Sequence, residues 1–143
     1  MSATSMSTSE RETFLADLHI GVIAVDRDGR APLAVPIWYF YEPGGDVWVW
    51  TENGTVKEKL IRASGRYSLV AQNEAPPYSY VSVEGPAEFQ ESPSADDVRP
   101  LVRRYLSEDD TTQFLEQMFN DRAVIIRMRP EHWLSVDYSK VGF

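Results

Sequence analysis

The chain has 143 residues, of which 43% are hydrophobic and 25% charged, the balance of one globular domain rather than of a disordered chain. Its net charge of −8 disfavours nonspecific binding to nucleic acid or to an anionic membrane. The absence of cysteine excludes disulfides, thiolate catalysis and cysteine-ligated metals.

The start of the chain predicts a flexible end followed by a helix. Residues 1–9 are rich in Ser and Thr and carry neither the basic nor the apolar region of a secretory signal. No run approaches the roughly 20 apolar residues of a membrane span, so we predict a cytoplasmic protein. Residues 10–143 then form a single domain, whose first helix has Ser9 as its N-cap, Glu12 three residues on, and Gly21 as its stop.

Alternating apolar residues predict antiparallel strands in most of the remaining chain. A hairpin comes first, with Asp28-Gly29 as its turn and with Pro36 in the return strand. Proline there indicates a sheet edge, a bulge or a place where something approaches the backbone. The six predicted strands are Gly21–Val25, Leu33–Tyr41, Val47–Thr51, Tyr67–Gln72, Tyr80–Gln90 and Ala123–Arg129, and residues 132–140 are a last short strand or an extended tail. Helices are predicted at Val56–Ser64, Ser94–Leu106 and Thr111–Asn120. Without βαβ alternation, this order favours a mainly β fold, a six-stranded antiparallel barrel with peripheral helices.

The stretch from Gly45 to Leu60 joins a strand end to a helix start. Thr51 supplies a hydroxyl, the first turn of the helix supplies free N–H groups, and Lys57 and Lys59 follow closely. A small phosphate monoester needs this combination. Lysines also occupy the solvated face of many amphipathic helices, and the stretch lacks the spacing of a P-loop. The pattern alone favours the solvated face and leaves a phosphate site open.

Aromatic residues are dense, with Trp38, Tyr39, Phe40 and Tyr41 consecutive in one predicted strand. Because neighbours in a strand point to opposite faces, one pair lies outside the core. That pair lies at a dimer interface or on the outside of the barrel, or it forms a wall for a flat ring, and a dimer interface and a ring site can be the same surface. The two histidines, His19 and His132, have no metal-ligand spacing, so no metal site is predicted.

The order of these segments resembles the pyridoxamine 5'-phosphate oxidase-like flavin-binding split barrels, and especially the actinobacterial flavin/deazaflavin oxidoreductases. The resemblance covers roughly Glu10 to Lys140. It depends on the run Trp50–Arg66, on "VEG" at Val83–Gly85, and on the late residues Trp133, Asp137 and Lys140.

The resemblance implies a homodimer with two cofactor sites between the subunits. It implies that Thr51 and Lys57 hold the cofactor phosphate, with Lys59 as a third candidate. The ring edge would meet the backbone of the second strand, Gln72 would lie near the ring or the ribityl chain, and Trp133 would come from the partner chain. In the second strand, the residues concerned are Pro36, Ile37 and Trp38. The chain departs from the family in the spacing of Lys57 and Leu60, and in having Val56 where relatives often carry a basic residue.

The resemblance further implies an oxidoreductase that transfers hydride to or from a small molecule. The cofactor would be FMN or the deazaflavin coenzyme F-420, and it would carry the chemistry without a dedicated catalytic side chain. The alternatives are a non-catalytic protein that binds or stores a flavin or haem, and a barrel dimer without cofactor. Coenzyme F-420 has a long anionic tail and needs a wider basic surface, which Lys57, Lys59, Arg62 and Arg66 offer. The overall negative charge disfavours it.

Overall fold

The computed structural model describes residues 2–143, in which one curved antiparallel sheet is flanked by four helices. The strands are β1 (Gly21–Val25), β2 (Leu33–Ile37), β3 (Val47–Glu52), β4 (Arg66–Gln72), β5 (Ser79–Glu91), β6 (Ala123–Met128) and β7 (His132–Asp137). The helices are α1 (Thr8–Ala16), α2 (Val56–Ser64), α3 (Ala95–Val102) and α4 (Glu108–Met118), and a 3₁₀ turn follows β7 at Tyr138–Val141.

The strands follow the order β2-β1-β4-β5-β6-β3, with β7 paired to β5 outside this path. The sheet curls until its two ends meet at Phe40 and Trp48, whose backbone N–H groups donate to each other's carbonyl oxygens at 2.9 and 3.0 Å. The predicted mainly β split barrel is therefore confirmed. The tail that the sequence left open is the seventh strand, β7. Pro36 lies in β2, an edge strand, as predicted.

The long strand β5 connects the two halves of the barrel. Its first part pairs with both β4 and β7, and its second part pairs with β6 from Ala87 onward. Gly85 lies at this change of partners, directly under the β6–β7 connection. A methyl group added there would overlap the carbonyl oxygen of Arg129 and lie 2.8 Å from its carbonyl carbon. The sequence "VEG" thus marks a place where two backbone segments touch.

The apolar side chains form two clusters on opposite sides of the same strands. Val47 and Val49 of β3 point into the barrel, where they meet the buried Tyr39 and Tyr41. Trp48 points outward into a second cluster formed with the inner faces of α3 and α4. Trp38 and Phe40 pack against this second cluster, so they are the predicted pair outside the main core. Residues of α3 and α4 belong to the cluster on which this pair packs.

Several predicted element boundaries are wrong in detail, among them both ends of α1 and the end of β2. Helix α1 uses Ser7 as its N-cap instead of Ser9, because Ser7 and Glu10 form a complete capping box one half-turn earlier, and it ends at Ala16 well before Gly21. Strand β2 ends at Ile37 and not at Tyr41. Met6 is buried, with its N–H donating to Ser135 Oγ at 3.0 Å. The flexible segment and the domain boundary after residue 9 stay predictions.

The outward face of the sheet formed by β2, β1, β4, β5 and β7 is mostly apolar. One row of paired residues crosses it: Pro36, Val22, Val70, Ser82 and Leu134. Leu134 at the end of the row is 61% exposed. Among the helices of residues 2–143, none combines the length and the apolar character needed to cross a membrane.

Candidate functional site

A cavity of about 360 Å³ opens where β2 and β3 end beneath α3 and α4. Its volume lies within the range of small-molecule sites, and most of its walls are apolar. The lining residues are Ile37, Trp38, Trp50, Thr51, Glu52, Thr55, Leu101, Phe114 and Met118. We call this the β3 cavity.

Aromatic rings form one wall of the β3 cavity and are held in place from behind. Trp38 stacks on Tyr105 with ring centroids 4.8 Å apart and planes 5° apart, and Phe114 lies 5.4 Å from Trp38 at a tilt. The Tyr105 hydroxyl donates to the His19 carbonyl oxygen at 2.7 Å, which fixes the ring under Trp38. Trp50 meets Phe114 edge-on at 6.2 Å. Such a rigid wall suits a flat ring.

Hydroxyl groups form a polar corner at the opposite end of the cavity. Thr51 is buried at the end of β3, and its Oγ1 lies 3.4 Å from that of Thr55. Thr55 is the N-cap of α2 and accepts the N–H of Glu58. The free N–H groups of the first turn and the positive end of the helix dipole therefore face the same corner, as an anion site requires.

Three of the charged groups around α2 are neutralised within the protein. The buried Glu58 accepts the Gly54 N–H and pairs with Arg62, and these contacts lower its pKa. Arg62 also reaches Glu91 at 2.8 Å, and Arg66 reaches Glu131 at 3.1 Å. Of the four basic residues that could bind a long anionic tail, Arg62 and Arg66 are therefore neutralised by glutamates.

Three further charged side chains lie near the polar corner: Lys57, Lys59 and Glu52. Lys57 and Lys59 form no ion pair with any residue from 2 to 143. Glu52 lines the β3 cavity, but Arg122 at 3.0 Å and the Asn120 amide hold its carboxylate. The lysines are therefore the free positive charges of this region.

The structure brings only part of the predicted site together. Ile37, Trp38 and Thr51 line the β3 cavity. Lys57 is partly buried in the first turn of α2 and Lys59 is exposed, and neither lines the cavity.

The other predicted residues lie on different surfaces of the same subunit. Pro36 and Gln72 line a groove of about 500 Å³ beside His19, on the outward sheet face. Adjacent residues of a strand point to opposite faces, so Pro36 and Ile37 cannot both face one cavity with their side chains. Trp133 lies in a third cleft, with Arg11. Whether these residues join the β3 cavity across a dimer stays a prediction.

Several cavity residues were missed by sequence reasoning. Thr55 had a usable signal, because it follows Thr51 by four residues and caps a recognisable helix. Phe114 and Met118 are spaced by one helical turn on α4, which indicates a shared face but not what that face covers. In the described part of the chain, no group of three or more His, Asp or Glu residues could hold a metal ion.

The family model described as pyridoxamine 5'-phosphate oxidase matches residues 7–137. A comparison with curated proteins finds no match. Among solved structures, the conserved hypothetical protein Rv2991 from Mycobacterium tuberculosis is 24% identical, with a TM-score of 0.80 over 100% of this chain and 92% of that one.

Two further structures carry names that mention a cofactor. An F-420 reductase is 22% identical, with a TM-score of 0.69 over 86% of this chain and 94% of that one. An FAD-binding protein from Mesorhizobium loti is 20% identical, with a TM-score of 0.59 over 91% and 93%. At these identities, the likeness to solved structures shows a shared fold.

Proposed function

The chain belongs to the pyridoxamine 5'-phosphate oxidase family, and from this premise we propose that it is a flavin-type oxidoreductase whose cofactor binds in the β3 cavity. One observation carries the proposal: an aromatic, mostly apolar cavity that ends in two hydroxyls at the start of α2. A ring with a phosphate-bearing chain has this same division into a flat apolar part and an anionic end.

The residues of the cavity fit such a group. Trp38, Trp50 and Phe114 would contact the ring, and they would exclude water from one of its faces. Thr51 would donate a hydroxyl hydrogen bond to the phosphate, and Lys57, and less directly Lys59, would supply positive charge. Thr55 holds the start of α2 in place, because its hydroxyl donates to the Glu52 carbonyl oxygen at 2.9 Å and accepts the Glu58 N–H. When bound, the cofactor supplies hydride transfer to or from a small-molecule substrate, so the chain needs no acid–base pair of its own.

FMN is the cofactor that we propose, with a deazaflavin as the alternative. An F-420 reductase and an FAD-binding protein share the fold, which supports a flavin-type group without choosing one. The ion pairs of Arg62 and Arg66 leave two free lysines near the corner, which matches one phosphate better than a long anionic tail.

The absorption spectrum of the purified full chain, followed by mass spectrometry of the released ring, tests the proposal. We expect the visible bands of an oxidised flavin and the mass of FMN. Reduction by a hydride donor and reoxidation by an acceptor would then establish turnover. A bound ring that no donor or acceptor changes would identify the non-catalytic binding protein instead.

Replacing Thr51 with valine should weaken FMN binding by roughly tenfold or more. The two side chains have the same shape, so the change removes one hydroxyl hydrogen bond to an anion and leaves a buried position apolar. Fluorescence titration of the protein with FMN measures the loss. Thr13→Val, on the exposed face of α1, is the matched control. Equal affinities in the two variants would place the phosphate elsewhere.

We further infer that the outward sheet face joins two copies into a homodimer. Four of the five residues in the row that ends at Leu134 are apolar, and the groove with Gln72 includes Pro36 from the same row. A second copy on this face would therefore bring both predicted residues to an interface. A negative charge at Leu134 should then dissociate the dimer, because an unpaired carboxylate would be buried.

Light scattering after size exclusion compares Leu134→Glu with Ala63→Glu, which adds the same charge to the exposed side of α2. We expect a monomer from the first variant and a dimer from the second. A monomeric native chain, or a dimer in both variants, would reject this interface.

A further inference from the structure

A second cleft lies at the other end of β3 from the β3 cavity. It has a volume of about 200 Å³ and is formed by α1, the β2–β3 connection and the β6–β7 connection. Asp46, which lines it, precedes β3, whereas Thr51 of the β3 cavity lies near the end of that strand. At about 3.3 Å per residue, the two sites are roughly 17 Å apart. We call it the Arg11 cleft.

Arg11 in this cleft has no ion-pair partner among residues 2–143. Its guanidinium stacks over the Trp133 ring at 4.6 Å from the centroid, and its Nε–H is buried without a hydrogen-bond acceptor among residues 2–143. This guanidinium has no ion pair although the chain has 22 acidic residues and 14 basic ones. Held against an indole, it can bind an external anion.

Arg129 brings a second guanidinium to the same cleft. In the described chain, Arg129 forms one ion pair, with Glu131 at 3.4 Å. The Glu131 carboxylate also forms an ion pair with Arg66 at 3.1 Å. The guanidinium of Arg129 therefore has N–H groups that do not bind Glu131 and can donate to a ligand.

The two carboxylates of the cleft limit what kind of anion fits. The Glu12 carboxylate accepts the Gly44 N–H at 2.9 Å and the Tyr41 hydroxyl at 3.3 Å. These hydrogen bonds hold it against the β2–β3 connection. Asp46 has no ion pair within residues 2–143 and faces the same space. It would repel a dianion more strongly than a monoanion.

We propose that the Arg11 cleft binds a small carboxylate, held by the guanidinium groups of Arg11 and Arg129. A planar carboxylate matches the forked donors of arginine, and the volume suits a group of a few heavy atoms. Within one subunit the site is separate from the β3 cavity, and the proposal does not depend on which cofactor that cavity takes.

Nitrogen-15 NMR of the full chain tests this proposal directly. Acetate should shift the Arg11 Nε–H and Trp133 indole signals along a saturable curve, while chloride at equal ionic strength should not. Inorganic phosphate is the second arm, and we expect it to bind more weakly because of Asp46. Phosphate binding tighter than acetate, or shifts that never saturate, would overturn the proposal.

Variants distinguish acetate binding at Arg11 from a general effect of the protein's charge. Arg11→Gln should weaken acetate binding by roughly ten- to a hundredfold, since it removes a charged hydrogen bond. Arg30→Gln, which removes one charge from the exposed β1–β2 turn, should leave it unchanged. Unaltered indole signals of the other tryptophans report that Arg11→Gln is folded, and Arg129→Gln provides a second variant. Equal acetate affinity in Arg11→Gln and Arg30→Gln would also overturn the proposal.

Discussion

Replacing Lys57 and Lys59 together with alanine should weaken FMN retention by roughly a hundredfold or more. Both lysines lack an ion pair within residues 2–143, and they stand at the start of the helix whose N-cap, Thr55, lines the polar corner. Each charged hydrogen bond lost to a phosphate is worth about ten- to a hundredfold in affinity. Dialysis followed by FMN titration measures the effect.

The single variants show which lysine carries the effect. Lys57→Ala should account for most of it, because Lys57 is partly buried in the first turn of α2 whereas Lys59 is exposed. Arg30→Ala combined with Arg103→Ala removes the same total charge from exposed positions elsewhere. If that control loses as much FMN as the lysine pair, long-range electrostatics explains the result, and the phosphate site is not at α2.

Gly85→Ala should lower the free energy of unfolding by about 3 kcal/mol or more, and we expect a lower yield of folded protein for that reason. The added methyl group would overlap the backbone of Arg129, and backbone cannot rotate away as a side chain can. Separation of the β6–β7 connection from β5 would also strain the Glu131 N–H, which donates to the Glu84 carbonyl oxygen at 2.9 Å. Urea unfolding followed by circular dichroism measures the change.

Gly21→Ala is the matched control for this prediction. Its new methyl group would meet only side-chain atoms, with Tyr39 Cδ1 at 2.9 Å and Leu69 Cδ1 at 3.1 Å. Side chains can shift by a few tenths of an ångström, so we expect a smaller loss, of about 1–2 kcal/mol. Equal losses in both variants would mean that the contact between β5 and the β6–β7 connection is not especially tight.

Local patterns predicted the fold well because its strands alternate clearly. In β3, Val47 and Val49 alternate with Trp48 and Trp50, and each pair lies on the face that the pattern requires. The edge position of Pro36 and the stop of α2 at Gly65 followed from backbone chemistry alone. Element ends were less predictable, because Ser7 with Glu10 and Ser9 with Glu12 have the same capping-box spacing, and the structure uses the first pair.

The candidate site was predictable only in part. Thr51 and Trp38 stood out because a strand end and an aromatic run are visible in sequence, and they line one cavity. Phe114 and Leu101 did not stand out as site residues, because no local pattern indicates which part of the barrel α3 and α4 cover. Gln72 and Trp133 came from family resemblance, and the single subunit places them on other surfaces. Their relation to the cavity depends on the proposed dimer.

The position of β5 has a consequence for how the chain tolerates being cut or rejoined. Because β5 pairs with β4, β6 and β7, a break within it would remove partners from both halves of the barrel at once. The β1–β2 turn, in contrast, connects two strands at the sheet edge and contains the exposed Asp28 and Gly29. New chain termini or an inserted domain should therefore be accepted at that turn and rejected anywhere along β5.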